Sequence, residues 1–391
     1  MATVKRRELR QMVEKMKSRE FVGHLIESLE KKDLKPSDFS LRDVFETTVP
    51  DGEELVRSFN PEDNDRMNLL EAGPVDTALF KNVSGQILFS AILEGYQTPI
   101  YVWPKIVQVI PTKFDGERIP GIGGLGRGAS KIQEGKPYPK VAVSDQWIDT
   151  PVTEKDGLIV EVTKEAIFFD RTNQVLNQCR GVGESLGLEM EIPAIDMVIG
   201  NTNNYKFKGT SINTYSNSSG LHDWDNLITS NGFSTYLNLD AANQAFYAVN
   251  DPSTGEPIVI SPNQILCHSS KRSQVLAVIH AIQVWQDTNA NTGTTSYRTV
   301  YDSRPIVGTA EVLSNQYIDR RYTACSVNTN DWFYGDFRKA FAYMENWPIK
   351  VDQASPGNDA EFERDVVAAF KASKRGVHAV YDPRYTQQNQ G

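Results

Sequence analysis

The sequence predicts an α+β protein strung on one long helix, and three stretches carry that prediction. Between Thr163 and Gly200, apolar residues recur at Phe168, Val175, Leu176, Cys179, Val182, Leu186 and Met190, one face of a 3.6-residue period. Residues 101–110 (YVWPKIVQVI) and 157–163 (GLIVEVT) are β-branched and extended in character, on either side of a long tract rich in Gly, Pro and Lys. Near the C-terminus Val366, Ala368, Phe370 and Ala372 alternate with their neighbours, as do Val377, Ala379 and Tyr381, the pattern of a long strand or a hairpin with one buried face.

The helix comes first because everything else flanks it. Thr163 is placed to cap it, Glu165 suits its positive N-terminus, and Gly200 suits its C-terminus. At 1.5 Å per residue the stretch spans roughly 50 Å, far longer than an ordinary globular helix. Gly181, Gly183 and Gly187 weaken its middle, and Pro193 is expected to kink or restart it. A long helix of poor intrinsic propensity has to be held by packing, so it is read as a spine.

In chain order, residues 1–35 form an amphipathic helix with Leu9, Met12, Val13, Met16, Val22, Leu25, Ile26 and Leu29 on its apolar side. Its start is basic, and the mixed charge favours a solvated helix docked on a neighbour. Residues 36–75 carry Pro36, Asp51-Gly52, Pro61 and Pro74 between short apolar pieces, an arm with little core of its own. From Asp76 a second helix places Leu79, Val83, Ile87 and Ala91 four apart. The tract FDGERIPGIGGLGRGASKIQEGKPYPK then lies between extended segments ending at residue 110 and starting at 140. Outgoing strand, glycine-rich tip and returning strand describe a protruding hairpin.

Residues 203–236 read as Asn/Ser/Gly-rich loop with few core residues. Asp240 is expected to cap a helix bearing Ala242, Ala245, Phe246 and Val249 on one face. Two short strands follow, and Ser269 or Ser270 starts a helix with Val275, Leu276, Ile279 and Ile282 inward. Residues 287–335 read as irregular. Gly376 fits a turn between the two alternating C-terminal runs, Asp382-Pro383 ends them, and the polar tail TQQNQG is expected to fray.

Composition excludes several classes. The 391 residues are 39% hydrophobic and 23% charged, enough for a sizeable core and unlike a disordered chain. A net charge of −9 argues against a surface built to neutralise phosphates. Cys179, Cys267 and Cys325 are widely spaced and odd in number, which fits buried thiols rather than disulfides. No apolar run reaches the ~18 residues of a membrane span, and no signal peptide opens the chain, so a soluble cytoplasmic product is expected.

Motif by motif, the chemistry falls away. Gly121, Gly123 and Gly126 spell G-x-G-x-x-G, yet Pro120 precedes them and Gly128, Gly135, Pro137 and Pro139 follow, so no helix starts there to meet a pyrophosphate. Asp287, Asn289, Asn291 and Gly293 open like a calcium loop, but Arg298 stands where a bidentate carboxylate is required. His222-Asp223-Trp224-Asp225 lacks a completing ligand at a defined spacing. There is neither an H-E-x-x-H nor a G-x-S-x-G string, and Cys267-His268 would point to opposite faces of a strand. No catalytic residue, cofactor or metal site is expected. What remains is a stiff helix, a protruding hairpin and a loose arm, the parts of a subunit that works by assembling.

From about Asp76 to Tyr385 the order of these features resembles the major capsid proteins of tailed bacteriophages, whose Hong Kong ninety-seven-type fold is shared with encapsulin compartments. Gly157 to Ala166 with the following helix looks like the strand leading into that family's spine helix. The hairpin at 105–150 looks like its extended loop. Leu239-Asp240, Thr254 to Ile258 and Ile265-Leu266 look like the axial domain; Gly335-Asp336-Phe337 and Phe362 to Tyr385 look like the return to the peripheral domain. The resemblance implies an N-terminal helix and arm (1–75), peripheral pieces (76–104, 151–202 and 336–391), the loop hairpin (105–150) and an axial domain (203–335).

It further implies a non-enzymatic protein that assembles with itself, as hexamers and pentamers, into an icosahedral shell around double-stranded DNA. Scaffold and portal proteins would assist in the host bacterial cytoplasm, and the virion would be its final location. Inter-subunit contacts are expected at the loop tip, through Arg118, Gly121, Gly123, Gly126, Arg127 and Lys131, and at the arm, through Arg6, Arg7 and Arg10. Only about 75 residues precede the resemblance, which implies a separate scaffold or none. Some members weld subunits by a Lys–Asn bond; here Asp365 aligns with the acceptor asparagine, so no covalent cross-link is expected. An encapsulin-like compartment and a nucleotide-binding enzyme using residues 121–128 are the alternatives.

Overall fold

The structure is a computed structural model that describes residues 18–31, 44–46, 74–97, 100–120, 147–163, 174–201, 205–207, 209–217, 225–251, 255–279, 283–288, 297–302, 310–353 and 366–391. It is α+β, as the sequence predicts. The helices are α1 (Ser18–Glu30), α2 (Pro74–Tyr96), α3 (Trp103–Ile106), α4 (Gln174–Val198), α5 (Tyr236–Tyr247), α6 (Ser269–Ile279), α7 (Gln316–Ala324) and α8 (Phe337–Ala340). The strands begin with β1 (Gln108–Pro111), β2 (Arg118–Pro120), β3 (Trp147–Asp149), β4 (Glu154–Thr163), β5 (Tyr205–Phe207), β6 (Thr210–Ile212), β7 (Leu227–Ile228) and β8 (Gln264–Cys267). They continue with β9 (Gln283–Thr288), β10 (Tyr297–Asp302), β11 (Glu311–Leu313), β12 (Trp332–Gly335), β13 (Phe341–Gln353), β14 (Val366–Val380) and β15 (Thr386–Asn389). Among the described residues the strands form four sheets, ordered β1-β13-β14-β4, β10-β9, β11-β8-β12-β15-β7 and β2-β3-β5-β6.

The chain divides into two compact units. The first comprises Met1–Pro99, Lys155–Glu189 and Trp347–Arg375. Its core joins α2 to the first half of α4. Ile87, Leu88, Ala91 and Ile92 are buried on α2, and Val175, Leu176, Cys179 and Leu186 on α4. One of the glycines that weaken α4 on paper, Gly183, has a use here, as does Gly95 on α2. A Cβ on Gly183 would stand 2.0 Å from the Ile92 carbonyl oxygen, and one on Gly95 2.2 Å from that of Arg180. The two backbones touch where only glycine leaves room. Arg180 also donates to Glu94 across the crossing, Nη2 to Oε2 at 2.9 Å.

The second unit comprises Ile100–Glu154, Met190–Asn346 and Gly376–Gly391. Its centre is the five-stranded sheet. β8 (QILC) is buried at every position, as a strand covered on both faces must be. β12 (WFYG) is likewise buried throughout and sorts its side chains by face. Trp332 and Tyr334 turn toward α5, where Phe233 meets the Trp332 ring and Phe246 the Tyr334 ring. Phe333 turns the other way, onto Tyr215 and Tyr322. The end of α4 lies on that second side, where the Tyr215 hydroxyl donates to the carbonyl of Val198.

Several expectations need correction. α4 is described from Gln174 and Thr163 ends β4; residues 164–173, and with them the expected capped start of the helix, lie outside the described residues. Pro193 lies inside α4, which runs on to Val198 without restarting. Gly200 does close it, with φ +74. α5 starts at Tyr236 rather than beyond Asp240: Thr235 is extended, and the Asn238 side chain accepts its amide at 2.9 Å. Asp240 sits a turn inside, accepting from Gln244.

Residues 203–236 are not a bare loop, since they supply β5, β6, β7 and the buried Tyr205, Ile212, Tyr215 and Phe233. Residues 287–335 contain α7, capped by Asn315, whose Oδ1 accepts from the Ile318 amide. Of the α6 stripe only Val275 is fully buried among the described residues. Of the long strand or hairpin allowed near the C-terminus, the long strand is found: Gly376 lies within β14 and not at a turn, and a Cβ there would strike the Tyr343 ring at 2.4 Å.

The tail is the largest reversal. β15 lies inside the sheet, antiparallel to β12 and parallel to β7. Thr386, Gln387 and Asn389 are each no more than 1% exposed.

Candidate assembly surface

The hairpin stem needs a correction: residues 101–110, read as its outgoing strand, hold α3 and β1, which pairs parallel with β13, and the strand that meets the returning β3 is β2, inside the tract read as tip. β2 pairs antiparallel with β3, Arg118 opposite Asp149, Ile119 opposite Ile148 and Pro120 opposite Trp147. β3 continues onto β5 and β6, so the stem is half of a four-stranded sheet. Ile148 is buried, and Ile119 packs against Ala342, Met344 and Ala379, which fixes the stem to the second unit. Arg118 is exposed on the stem. Its guanidinium pairs with Asp149, Nε to Oδ1 at 3.0 Å, and lies 5.6 Å from the Trp147 ring centre. That pair is worth little in water, and both contacts are within the subunit.

Below the stem the chain is tied down at a dense polar base. Glu117 N donates to the Thr150 hydroxyl at 2.7 Å, and Thr150 N donates to the Glu117 carbonyl at 2.9 Å. The Thr112 hydroxyl donates to the Glu117 carboxylate at 2.8 Å. Asp115 Oδ1 accepts both the amide and the hydroxyl of Thr153, at 2.8 and 2.7 Å. Asn346 Nδ2 donates to the Thr112 carbonyl at 3.1 Å. Gly116 closes the turn at φ +82, where a side chain would be strained. This fixed base carries Phe114 and Val152, 64% and 63% exposed. Large apolar side chains held out on a rigid turn serve a contact better than a fold.

The sequence did not single out this base, although Asp115-Gly116 is a recognisable turn signal. Nor did it show that β5 and β6 extend the stem. Gly121, Gly123, Gly126, Arg127 and Lys131 at the tip, Arg6, Arg7 and Arg10 in the arm, and Asp365 all lie outside the described residues. Of the named contact residues, Arg118 alone falls within the described residues.

Chemistry elsewhere is subdued. His268 stands between Ser270 and Asp319, with Nδ1 2.9 Å from the Ser270 hydroxyl and Nε2 3.6 Å from Asp319 Oδ1. That trio closes the start of α6: the Ser270 amide also donates to His268 Nδ1, and the Ser269 amide to Asp319 Oδ1. The atoms a hydrolase would need free are occupied in capping a helix. Cys179, Cys267 and Cys325 are free thiols, and burial pushes the first two up to about 12, far from thiolate. No group of three or more His, Cys, Asp or Glu suited to a metal occurs among the described residues. No helix among them is long and apolar enough to cross a membrane.

Comparison with known proteins agrees with an assembly role. Residues 148–389 match the family described as phage capsid protein. No curated protein matches the chain. Among solved structures, the chain is similar to a phage-related protein from Bordetella bronchiseptica, at 10% identity and a TM-score of 0.44, covering 78% of this chain and 95% of that one. It is similar to a Mycobacterium phage Adephagia chain at 13% identity and a TM-score of 0.43, covering 74% and 89%. A virus-like particle from Pyrococcus furiosus gives 10% identity and a TM-score of 0.40, covering 78% and 98%. Likenesses this remote carry no argument by themselves, and the assignment rests on the family match, which spans well over half of the sequence. On that match the chain belongs to the phage capsid protein family.

Proposed function

We propose that the chain is a major capsid protein, whose copies close into an icosahedral shell of hexamers and pentamers around double-stranded DNA. The observation that carries this is the capsid-family match over residues 148–389. It is supported by a hairpin stem whose base is fixed by hydrogen bonds while its flanking Phe114 and Val152 stand exposed. In this reading residues 105–150 reach a neighbouring copy, 1–75 form a second reaching arm, 203–335 are the axial domain, and 76–104, 151–202 and 336–391 the peripheral one. The tip residues 121–131 and the basic residues of the arm make the contacts. Many modest interfaces then sum to a stable cage, and the work is structural. Scaffold and portal proteins assist in the bacterial cytoplasm, and the mature virion is where the chain resides.

Electron micrographs of the expressed full chain test this reading. Closed shells are expected, and particles from an infected host should hold DNA. Particles holding an enzyme instead would move the chain to the encapsulin-like alternative. With Asp365 at the position discussed above, boiled shells should run as a single monomer band; a ladder of multiples would refute the absence of cross-links.

A further inference from the structure

The face of the sheet turned to α5 holds two polar atoms with nothing to bond. Gln387 Oε1 and Asn389 Nδ2 are buried, and among the described residues neither has a hydrogen-bond partner. The residues themselves are 1% and 0% exposed, so bulk water cannot serve them. Two apart on β15, they share a face. They lie directly opposite Tyr334 and Trp332, which face α5.

The orientation of the Asn389 amide is not arbitrary. Asn238 Oδ1 accepts the amides of Ser234 and Thr235 at the start of α5, at 3.1 and 2.9 Å. Its Nδ2 must therefore face Asn231, and it donates to Asn231 Oδ1 at 2.9 Å. Asn231 is left to present its own Nδ2 to Asn389 Oδ1, at 2.7 Å. Turning any one amide would set like atoms against each other. A relay of three asparagines thus fixes Asn389 with its donor directed away from Asn231.

We propose that Gln387 and Asn389 bind a water molecule buried between β15 and α5. A buried donor and a buried acceptor two residues apart on one strand face are costly unless something both accepts and donates. Water does both; a cation cannot accept from Nδ2 and an anion cannot donate to Oε1. Buried waters are common at such otherwise unsatisfied groups. The site would make solvent an integral component of the strand that closes the sheet, and it explains how so polar a sequence as TQQN occupies an interior position.

A map of the full chain fine enough to show ordered solvent should reveal a peak within hydrogen-bond distance of both atoms. Ordered side chains with no peak between them would overturn the proposal. Thermal unfolding of Gln387→Met gives a second test through its sign. If the water is present, the variant strips it of a partner, and Tm falls by roughly 2–4 °C. If Oε1 faces nothing, the thioether relieves an orphaned acceptor. An unchanged or higher Tm would therefore overturn the site as well.

Discussion

The two units hold their cores together by opposite means. In the first, α2 and α4 approach so closely that Gly95 and Gly183 lie against the facing helix's backbone, and apart from Cys179 the buried side chains named on these two helices are aliphatic. In the second, the sheet is gripped by bulk: Tyr205, Phe233, Tyr322, Trp332, Phe333, Phe337 and Phe341 are almost fully buried. One core is specified by atoms that are missing, the other by atoms that are present. Substitutions should therefore fail in opposite directions, adding volume in the first and removing it in the second.

The largest effect belongs to the aromatic core. Phe333→Ala opens a cavity between Tyr215 and Tyr322 and should cost about 3–5 kcal/mol in denaturant unfolding. A loss under ~1 kcal/mol would mean that the sheet does not depend on this filling. Next comes Gly183→Ala, where one methyl meets a backbone carbonyl that cannot rotate away, and about 1–3 kcal/mol should be lost. A neutral result would show that the helices separate freely, and the contrast between the units would collapse.

Glu191→Gln probes a joint within the second unit. The Glu191 carboxylate accepts the amides of Val102 and Trp103 and the side chain of Asn315, at 2.9, 2.8 and 2.7 Å. A carboxamide keeps one acceptor oxygen and sets an N–H donor against another donor, so a loss of about 1–3 kcal/mol is expected. The loss should depend on pH. Burial raises the Glu191 pKa above its ordinary 4.5, against the hydrogen bonds that favour the ion. The folded state therefore binds the proton more readily than the unfolded chain. As pH falls through the raised value toward 4.5, wild type gains stability that the glutamine variant cannot, and the gap between them widens. A gap that narrows over this window would reverse the assignment of burial as the dominant cause.

The smallest effect has the opposite sign. Gly181 stands two residues from Gly183 in the same helix, but a Cβ there meets nothing within 4 Å. Gly181→Ala should stabilise by up to about 1 kcal/mol, through helix propensity alone. Measured beside Gly183→Ala, it separates crowding from propensity within one turn of α4.

This pair also shows where the sequence was legible. The stripe Val175, Leu176, Cys179 and Leu186 could be read because apolar periodicity is local, and it is buried as expected. Gly183 among them reads only as weakness, since its reason lies in Ile92, on a helix and a face that one-dimensional spacing cannot locate. The tail failed for a related reason. Thr386 to Asn389 carries no apolar signal, and its place in the sheet is set by main-chain pairing with Trp332 to Gly335 and by side-chain amides. At the assembly surface the returning strand was legible within residues 140–150, but the outgoing one was not, because β2 sits in the glycine-rich tract read as tip. The polar base of the stem was not legible either, because Asp115, Thr153 and Asn346 are far apart in sequence.

Sedimentation velocity on the pure, concentrated full chain, run beside a variant lacking residues 121–135, tests the self-assembly reading most directly. The full chain should sediment as large closed particles, while the shortened chain stays folded and small or forms distorted particles. A full chain that remains monomeric at high concentration would contradict a shell-forming role.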